Sequence, residues 1–122
     1  MIKRLDRLDI ATSDLDDAAS IYERNFGFKV NRSPGSDSAS VIVGGAEIRL
    51  AAGKLAKAAI ELQGEGMTGL WIEAEDVDQV VAAFKKAGLP VGDVNKEHGR
   101  RVLAIDPKIA NQVPLFIFDR KG

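Results

Sequence analysis

Two stretches of this chain repeat one another. LDRLDIATSDLDDAASIYERNFGF, residues 5 to 28, and GLWIEAEDVDQVVAAFKKAGLPV, residues 69 to 91, each read as a strand, a capped helix and a glycine stop. Laid over one another they match Leu8 with Leu70, Ile10 with Ile72, Asp14 with Asp76, Asp16 with Asp78 and Gly27 with Gly88. The shared positions start a helix, end it or face a core, so the repeat is architectural rather than compositional.

The periodicity names the elements. Leu5, Leu8 and Ile10 against Arg7 and Asp9 predict a half-buried strand over 5–11. Ser13, three residues before Asp16, suggests a capping-box start. Leu15, Ala18, Ala19, Tyr22 and Phe26 then form one apolar helix face, stopped at Gly27. Short strands are predicted at 28–32, 39–43 and 46–50, separated by Ser33-Pro34-Gly35-Ser36-Asp37 and by a hairpin turn at Gly44-Gly45. A helical connector at 54–62 ends at Gly64-Glu65-Gly66. The second repeat gives a strand at 70–74, a helix at 76–87 with Val77, Val80, Val81 and Phe84 on one face, and strands at 91–94, 101–105 and 113–118. The reading is one domain made of module one, 1–52, a connector, 53–66, and module two, 67–122.

A lone βαβββ unit is an incomplete sheet covered by a helix on one face. The predicted fold is therefore α+β, with two tandem βαβββ modules forming a curved mixed sheet around a cleft where a ligand would sit.

Composition narrows the chemistry. With 122 residues and 45% hydrophobic content the chain can build one real core. Seventeen basic against eighteen acidic residues, a net charge of -1, favour neither nucleic acid nor an anionic membrane as partner. The absence of cysteine removes disulfides, thiolate metal sites and thiol nucleophiles, and the lone His98 rules out an imidazole-rich site. No stretch approaches the roughly 18 apolar residues of a membrane span, and the opening MIKRLDRLDIA has no signal-like apolar core, so a cytoplasmic protein is expected. Gly44-Gly45 lacks the Gly-Lys-Ser/Thr of a phosphate loop, and Asp14-Leu15-Asp16-Asp17 lies in a first helical turn, where carboxylates complement the dipole.

The opening repeat, together with GEGMTGLWIEAEDVDQ and HGRRVLAIDPK, resembles the vicinal oxygen chelate superfamily. That superfamily includes glyoxalase I, bleomycin-resistance proteins, extradiol dioxygenases and methylmalonyl-CoA epimerase, and the resemblance is greatest to its epimerase-like branch. The likeness covers nearly the whole chain and implies the fold described above and a homodimer. In metal-using members it also implies four ligands on corresponding strands, typically a histidine and a glutamate or glutamine in each half. Those positions here hold Arg7, Arg49, Gly69 and Phe116, or Phe118 if the last strand is shifted by two. Arginine stays protonated, glycine has no side chain and phenylalanine has no lone pair, so no metal and no cofactor are expected.

If Leu8/Ile10, Ile48/Leu50, Leu70/Ile72 and Leu115/Ile117 face the helices, alternation turns Arg7, Asp9, Glu47, Arg49, Trp71, Glu73, Phe116 and Phe118 toward the cleft. Two arrangements satisfy so many charges. The arginines and carboxylates either neutralise one another as a plug, or Arg7 and Arg49 grip an anionic group while Trp71, Phe116 and Phe118 stack on a flat or apolar body. Trp71 serves equally as a wall of core or dimer interface.

Asp9, Glu47 and Glu73 are the candidate general bases, with apolar rings raising and arginines lowering their pKa. His98 is a candidate acid, base or ligand contact if its loop covers the cleft, and otherwise a solvated turn residue. Arg100 and Arg101 are either phosphate contacts or a solvated strand-edge pair. Two functions follow. One is a metal-free protein of the bleomycin-resistance kind that binds an anionic or aromatic small molecule. The other is a metal-independent lyase, isomerase or epimerase acting on a carboxylate or acyl-CoA. A third arrangement, an inert interaction module with a plugged cleft, remains compatible with the same residues.

Overall fold

A computed structural model describes all 122 residues. The first module is β1 (Ile2–Ala11), α1 (Leu15–Phe26), β2 (Asn31–Arg32), β3 (Ser38–Val43) and β4 (Ala46–Ala51). A 3-10 turn at Gly53–Leu55 and α2 (Lys57–Gln63) connect it to β5 (Gly66–Ala74), α3 (Val77–Lys86), β6 (Val94–Glu97), β7 (Arg100–Ala104) and β8 (Leu115–Asp119). The chain is thus α+β and says βαβββ twice. Its packing divides into two compact units, residues 7–68 and residues 1–6 with 69–122. No helix is long and apolar enough to cross a membrane.

In the unit 7–68 the strands run β2-β3-β4-β1, with β1 and β4 parallel and the other pairs antiparallel. The register places Leu8 beside Ile48 and Ile10 beside Leu50. Since residues directly opposite share a face, these four aliphatics line one side. There α1 lands, burying Leu15 and Ala18 against Ala39, Leu50 and Ala52, with Ile10, Ile48, Val30 and Tyr22 around them. Each large aliphatic so buried contributes about 1.5–3 kcal/mol.

The second unit repeats the plan. Its strands run β5-β8-β7-β6, with β5 parallel to β8. Under α3, Val77 and Val80 pack on Ala74, Leu103, Ile105 and Ile117, flanked by Val81, Phe84 and Leu115. Asp119 is wholly buried at the start of α3. Its carboxylate accepts from the Val77 amide at 2.7 Å, from Arg101 at 2.6 and 3.1 Å and from the Lys121 amide at 3.0 Å. Burial pushes its pKa up. The Arg101 guanidinium and the two amides overcome that and hold it down to about 2.

Local chemistry explains where the structure departs from the predicted elements. Asp14, not Ser13, caps α1: it is extended and its Oδ1 accepts from the Asp17 amide at 3.0 Å. Ser13 is engaged elsewhere, since its amide and hydroxyl both donate to Glu65 Oε1 at 2.6 Å.

The predicted strand at 28–32 shrinks to Asn31–Arg32. Gly27, left-handed at φ 69°, and Phe28 close α1 in a Schellman-type turn, with the Phe28 amide donating to the Tyr22 carbonyl at 3.3 Å. Phe26, placed by periodicity on the core face, is exposed and meets Tyr22 and Phe28 instead. Leu5 is likewise exposed. The strand expected at 91–94 begins only at Val94. Pro90 cannot donate to a ladder, and Gly92 weakens a strand.

Candidate functional site

In the unit 7–68 the face of the sheet opposite α1 is polar because the alternate residues of each strand are polar. Arg7 and Asp9 on β1 lie directly opposite Glu47 and Arg49 on β4. Each arginine nonetheless takes its carboxylate from its own strand. Arg7 Nε lies 2.8 Å from Asp9 Oδ1, and Arg7 Nη2 donates weakly to Asp9 Oδ2 at 3.5 Å. Arg49 donates to both oxygens of Glu47 at 3.4 Å.

The two pairs differ in access. The Arg7 side chain is 9% exposed and held against Asp9. That of Arg49 is 42% exposed and held only by two long bonds.

Beside Arg49 the sheet forms an open groove of about 530 Å³, lined by Ser33, Ser36, Ser38, Ser40, Glu47 and Arg49 among others. The volume lies within the usual range for small-molecule sites, about 300–1,000 Å³. Arg32 borders the groove, but its strand partner is Ala39, a core residue under α1. Its guanidinium is bonded to Asp16 of α1. Arg32 is thus a lining residue whose charge is already matched by Asp16, and Arg49 is the cation on the same face as Glu47 and the groove serines.

The second unit carries the other predicted residues. Trp71 and Phe116 are register partners and stack at 4.5 Å, with interplanar angle 15°. Phe118 meets Trp71 edge-on at 6.0 Å. With Val102 the three rings make a small core of their own. The Arg100 guanidinium lies over them, 5.2 Å from the Phe118 centroid and 5.8 Å from that of Trp71.

Glu73, 3% exposed, is surrounded by cations: Arg4 at 2.8 Å, Arg120 at 3.2 Å and Lys3 at 3.7 Å. The Arg4 hydrogen bond, with the charges of Arg120 and Lys3, outweighs burial and holds its pKa below the usual carboxylate range. It stays ionised at neutral pH and is poorly suited to take a proton.

His98 is exposed at φ 49° in the β6–β7 turn and engages neither the rings nor Glu73. The sequence reading missed Lys3, Arg4 and Arg120, because nothing in local spacing ties residues 3 and 4 to residue 73. It also passed over the serines of the groove, read there only as turn and strand residues. Their alternation at 36, 38 and 40 was the available signal.

A metal of the family's kind does not fit this donor set. Arg7 and Arg49 can only donate hydrogen bonds, Gly69 offers no side chain and Phe116 is stacked on Trp71. No three His, Asp or Glu side chains come together where they could hold a metal ion.

Tandem βαβββ modules, each with a helix on one sheet face and charged or aromatic side chains on the other, are the vicinal oxygen chelate architecture. The chain belongs to the Glyoxalase/Bleomycin resistance protein/Dioxygenase superfamily, whose family model matches residues 4–120. No curated protein sequence matches it.

Several solved structures share the fold. Streptomyces coelicolor methylmalonyl-CoA epimerase, as a variant in complex with 2-nitronate-propionyl-CoA, is similar at 21% identity and TM-score 0.73, over 98% of this chain and 95% of that one. Methylmalonyl-CoA epimerase from Mycobacterium tuberculosis is similar at 23% identity and TM-score 0.70, over 97% and 88% of the two chains. A hypothetical protein from Bacillus halodurans C-125 is similar at 20% identity and TM-score 0.72, over 98% and 95%. At these identities the likeness is one of fold.

Proposed function

We propose that this protein binds a small organic anion without the family's metal, and that Arg49 holds the anion. The observation that carries this reading is the exposed, loosely tethered Arg49 guanidinium in the groove of the first unit. A guanidinium presents a planar fork that matches a carboxylate, and such charge-assisted bidentate pairs are roughly twice as strong as neutral hydrogen bonds. A ligand carboxylate can displace Glu47, whose two bonds to Arg49 are long. Arg7 is the weaker candidate anchor because it is buried with Asp9. The stacked rings of the second unit favour the anionic over the aromatic half of the reading, since Trp71 spends its face on Phe116.

The competing reading is a metal-independent lyase, isomerase or epimerase on a carboxylate or acyl-CoA. The methylmalonyl-CoA epimerases are similar in fold. Of the three candidate bases, Glu73 is neutralised by three cations and Asp9 is tied to Arg7. Glu47, 25% exposed beside Arg49 in the groove, keeps the access that a base on this reading needs. The protein is further proposed to pair as a homodimer, a state that sedimentation would read directly.

The test is a panel of monocarboxylates followed by amide chemical shifts on chelator-treated protein. Shifts confined to residues 31–49 and abolished in Arg49→Gln are expected. Uniform silence across the panel would leave the proposal without support.

A further inference from the structure

We infer that the groove of the first unit is a site for a polyhydroxylated monocarboxylate, a sugar acid or similar hydroxy acid. This rests on the anion-binding reading above and names the ligand class of the same groove. Asn31 on β2 lies opposite Ser40 on β3, Ser40 opposite Arg49 on β4, and Arg49 opposite Asp9 on β1. Directly opposed residues share a face, so these four form one polar row across the sheet. Ser38 and Glu47, two residues from Ser40 and Arg49 on their own strands, stand on the same face.

The β2–β3 connection adds Ser33 and Ser36, drawn together where the Ser36 amide donates to the Ser33 carbonyl at 3.1 Å. Ser36 and Ser38 hydroxyls already approach at 3.4 Å. The side chains of Asn31, Ser33 and Ser40 make no hydrogen bond within the chain. They are left to offer donors and acceptors to the groove.

Charge then selects the ligand. Arg49 supplies one positive charge and Glu47 one negative. Arg32 also lines the groove, but its charge is matched by Asp16 of α1, so the pair adds no net positive charge. A phosphoryl group or a dicarboxylate would meet Glu47 with surplus negative charge. A monocarboxylate bearing hydroxyls satisfies both: its carboxylate takes Arg49, and its hydroxyls donate to Glu47 and exchange bonds with the serines and Asn31. The lining offers Val30 and Ala39 as its apolar members, too little wall for a flat hydrophobic body.

The experiment is calorimetric titration of the full chain with D-gluconate, D-sorbitol, hexanoate and 6-phosphogluconate, alongside amide shifts. Gluconate is expected to bind saturably and shift residues 31–40 and 47–49. Sorbitol, which lacks the charge, hexanoate, which lacks the hydroxyls, and 6-phosphogluconate, which adds negative charge, should each bind about tenfold or more weakly. Ser40→Ala and Asn31→Ala, checked for an unchanged melting temperature, should weaken gluconate about fivefold each and leave hexanoate alone.

Hexanoate binding as tightly as gluconate, and losing affinity in Arg49→Gln but not in Ser40→Ala, would overturn the hydroxy-acid assignment and leave the anion-binding reading standing. Tightest binding by 6-phosphogluconate would overturn the charge argument. If none of the anions binds, both readings fall together.

Discussion

Arg49 stands directly between Ser40 and Asp9 in the sheet register, yet its guanidinium turns along its own strand to Glu47 through two bonds of 3.4 Å. An exposed ion pair of this length contributes about 0.2–1 kcal/mol, so it competes only mildly with an incoming anion. Glu47→Gln is expected to raise affinity for a plain monocarboxylate by up to about fivefold, read by calorimetry. An unchanged or lower affinity would mean that Glu47 does not restrain Arg49.

Glu73 is the hub of a different kind of cluster. Arg4, Arg120 and Lys3 surround one buried carboxylate, and Asp6 draws Arg4 at 3.0 Å and Arg120 at 3.6 Å. Glu73→Gln should cost about 1–3 kcal/mol in chemical denaturation, because the three cations are about half exposed and recover water. Ligand affinity should stay within about twofold. A collapse of binding with stability intact would make Glu73 part of the site.

The Asp119–Arg101 latch predicts an acid limb of stability. The folded carboxyl titrates at about 2, below its ordinary value of 3.8. A depressed pKa means that the contribution is full above the unfolded value and drains away as pH falls from about 4 toward 2. The linkage is about 2 kcal/mol. Asp119→Asn should flatten that limb in urea titrations between pH 5 and 2 and lower stability at pH 7 by about 1–3 kcal/mol, since Arg101 loses Asp119 but keeps Asp76 at 3.0 Å and Asp78 at 2.9 Å. An acid limb unchanged in Asp119→Asn would assign the pH dependence to other carboxylates.

Gly53 has φ 55°, and a Cβ there would meet the Asp37 carboxylate at 2.7 Å. Gly53→Ala should destabilise by about 1–2 kcal/mol, from the left-handed backbone and the displaced Asp37. Asp37→Ala in the same background should recover the steric share. If the double variant is no more stable than Gly53→Ala alone, backbone strain carries the whole effect.

The fold was legible because each module states its own core. Leu8, Ile10, Ile48 and Leu50 alternate with polar residues, and the structure places Ile10, Ile48 and Leu50 under α1. The charged pairs of β1 and β4 were legible for the same reason. Alternation puts Arg7 with Asp9 on one face and Glu47 with Arg49 on another strand of it, but which carboxylate each arginine takes is stated only by the structure. Helix caps were readable only to the nearest residue, since Ser13 and Asp14 are both good caps and Glu65, distant in sequence, claims Ser13.

What alternation cannot state is the partner from afar. Lys3 and Arg4 around Glu73, and Arg101 on Asp119, depend on pairings 18 to 70 residues apart in sequence. Nor does period two state how Trp71, Phe116 and Phe118 meet one another, which is a matter of ring geometry: Trp71 and Phe116 stack at 4.5 Å.

On the proposed reading, the Arg49 guanidinium rather than a divalent metal ion holds the ligand carboxylate. The most direct measurement is calorimetric titration of monocarboxylates into exhaustively chelated protein and its Arg49→Gln variant. Saturable binding is expected to survive chelation and to weaken by about tenfold to a hundredfold without the arginine, the 1.5–3 kcal/mol of a charged hydrogen-bonded pair. Binding that appears only when Zn²⁺, Ni²⁺ or Co²⁺ is added, or that is equal in the two proteins, would contradict it.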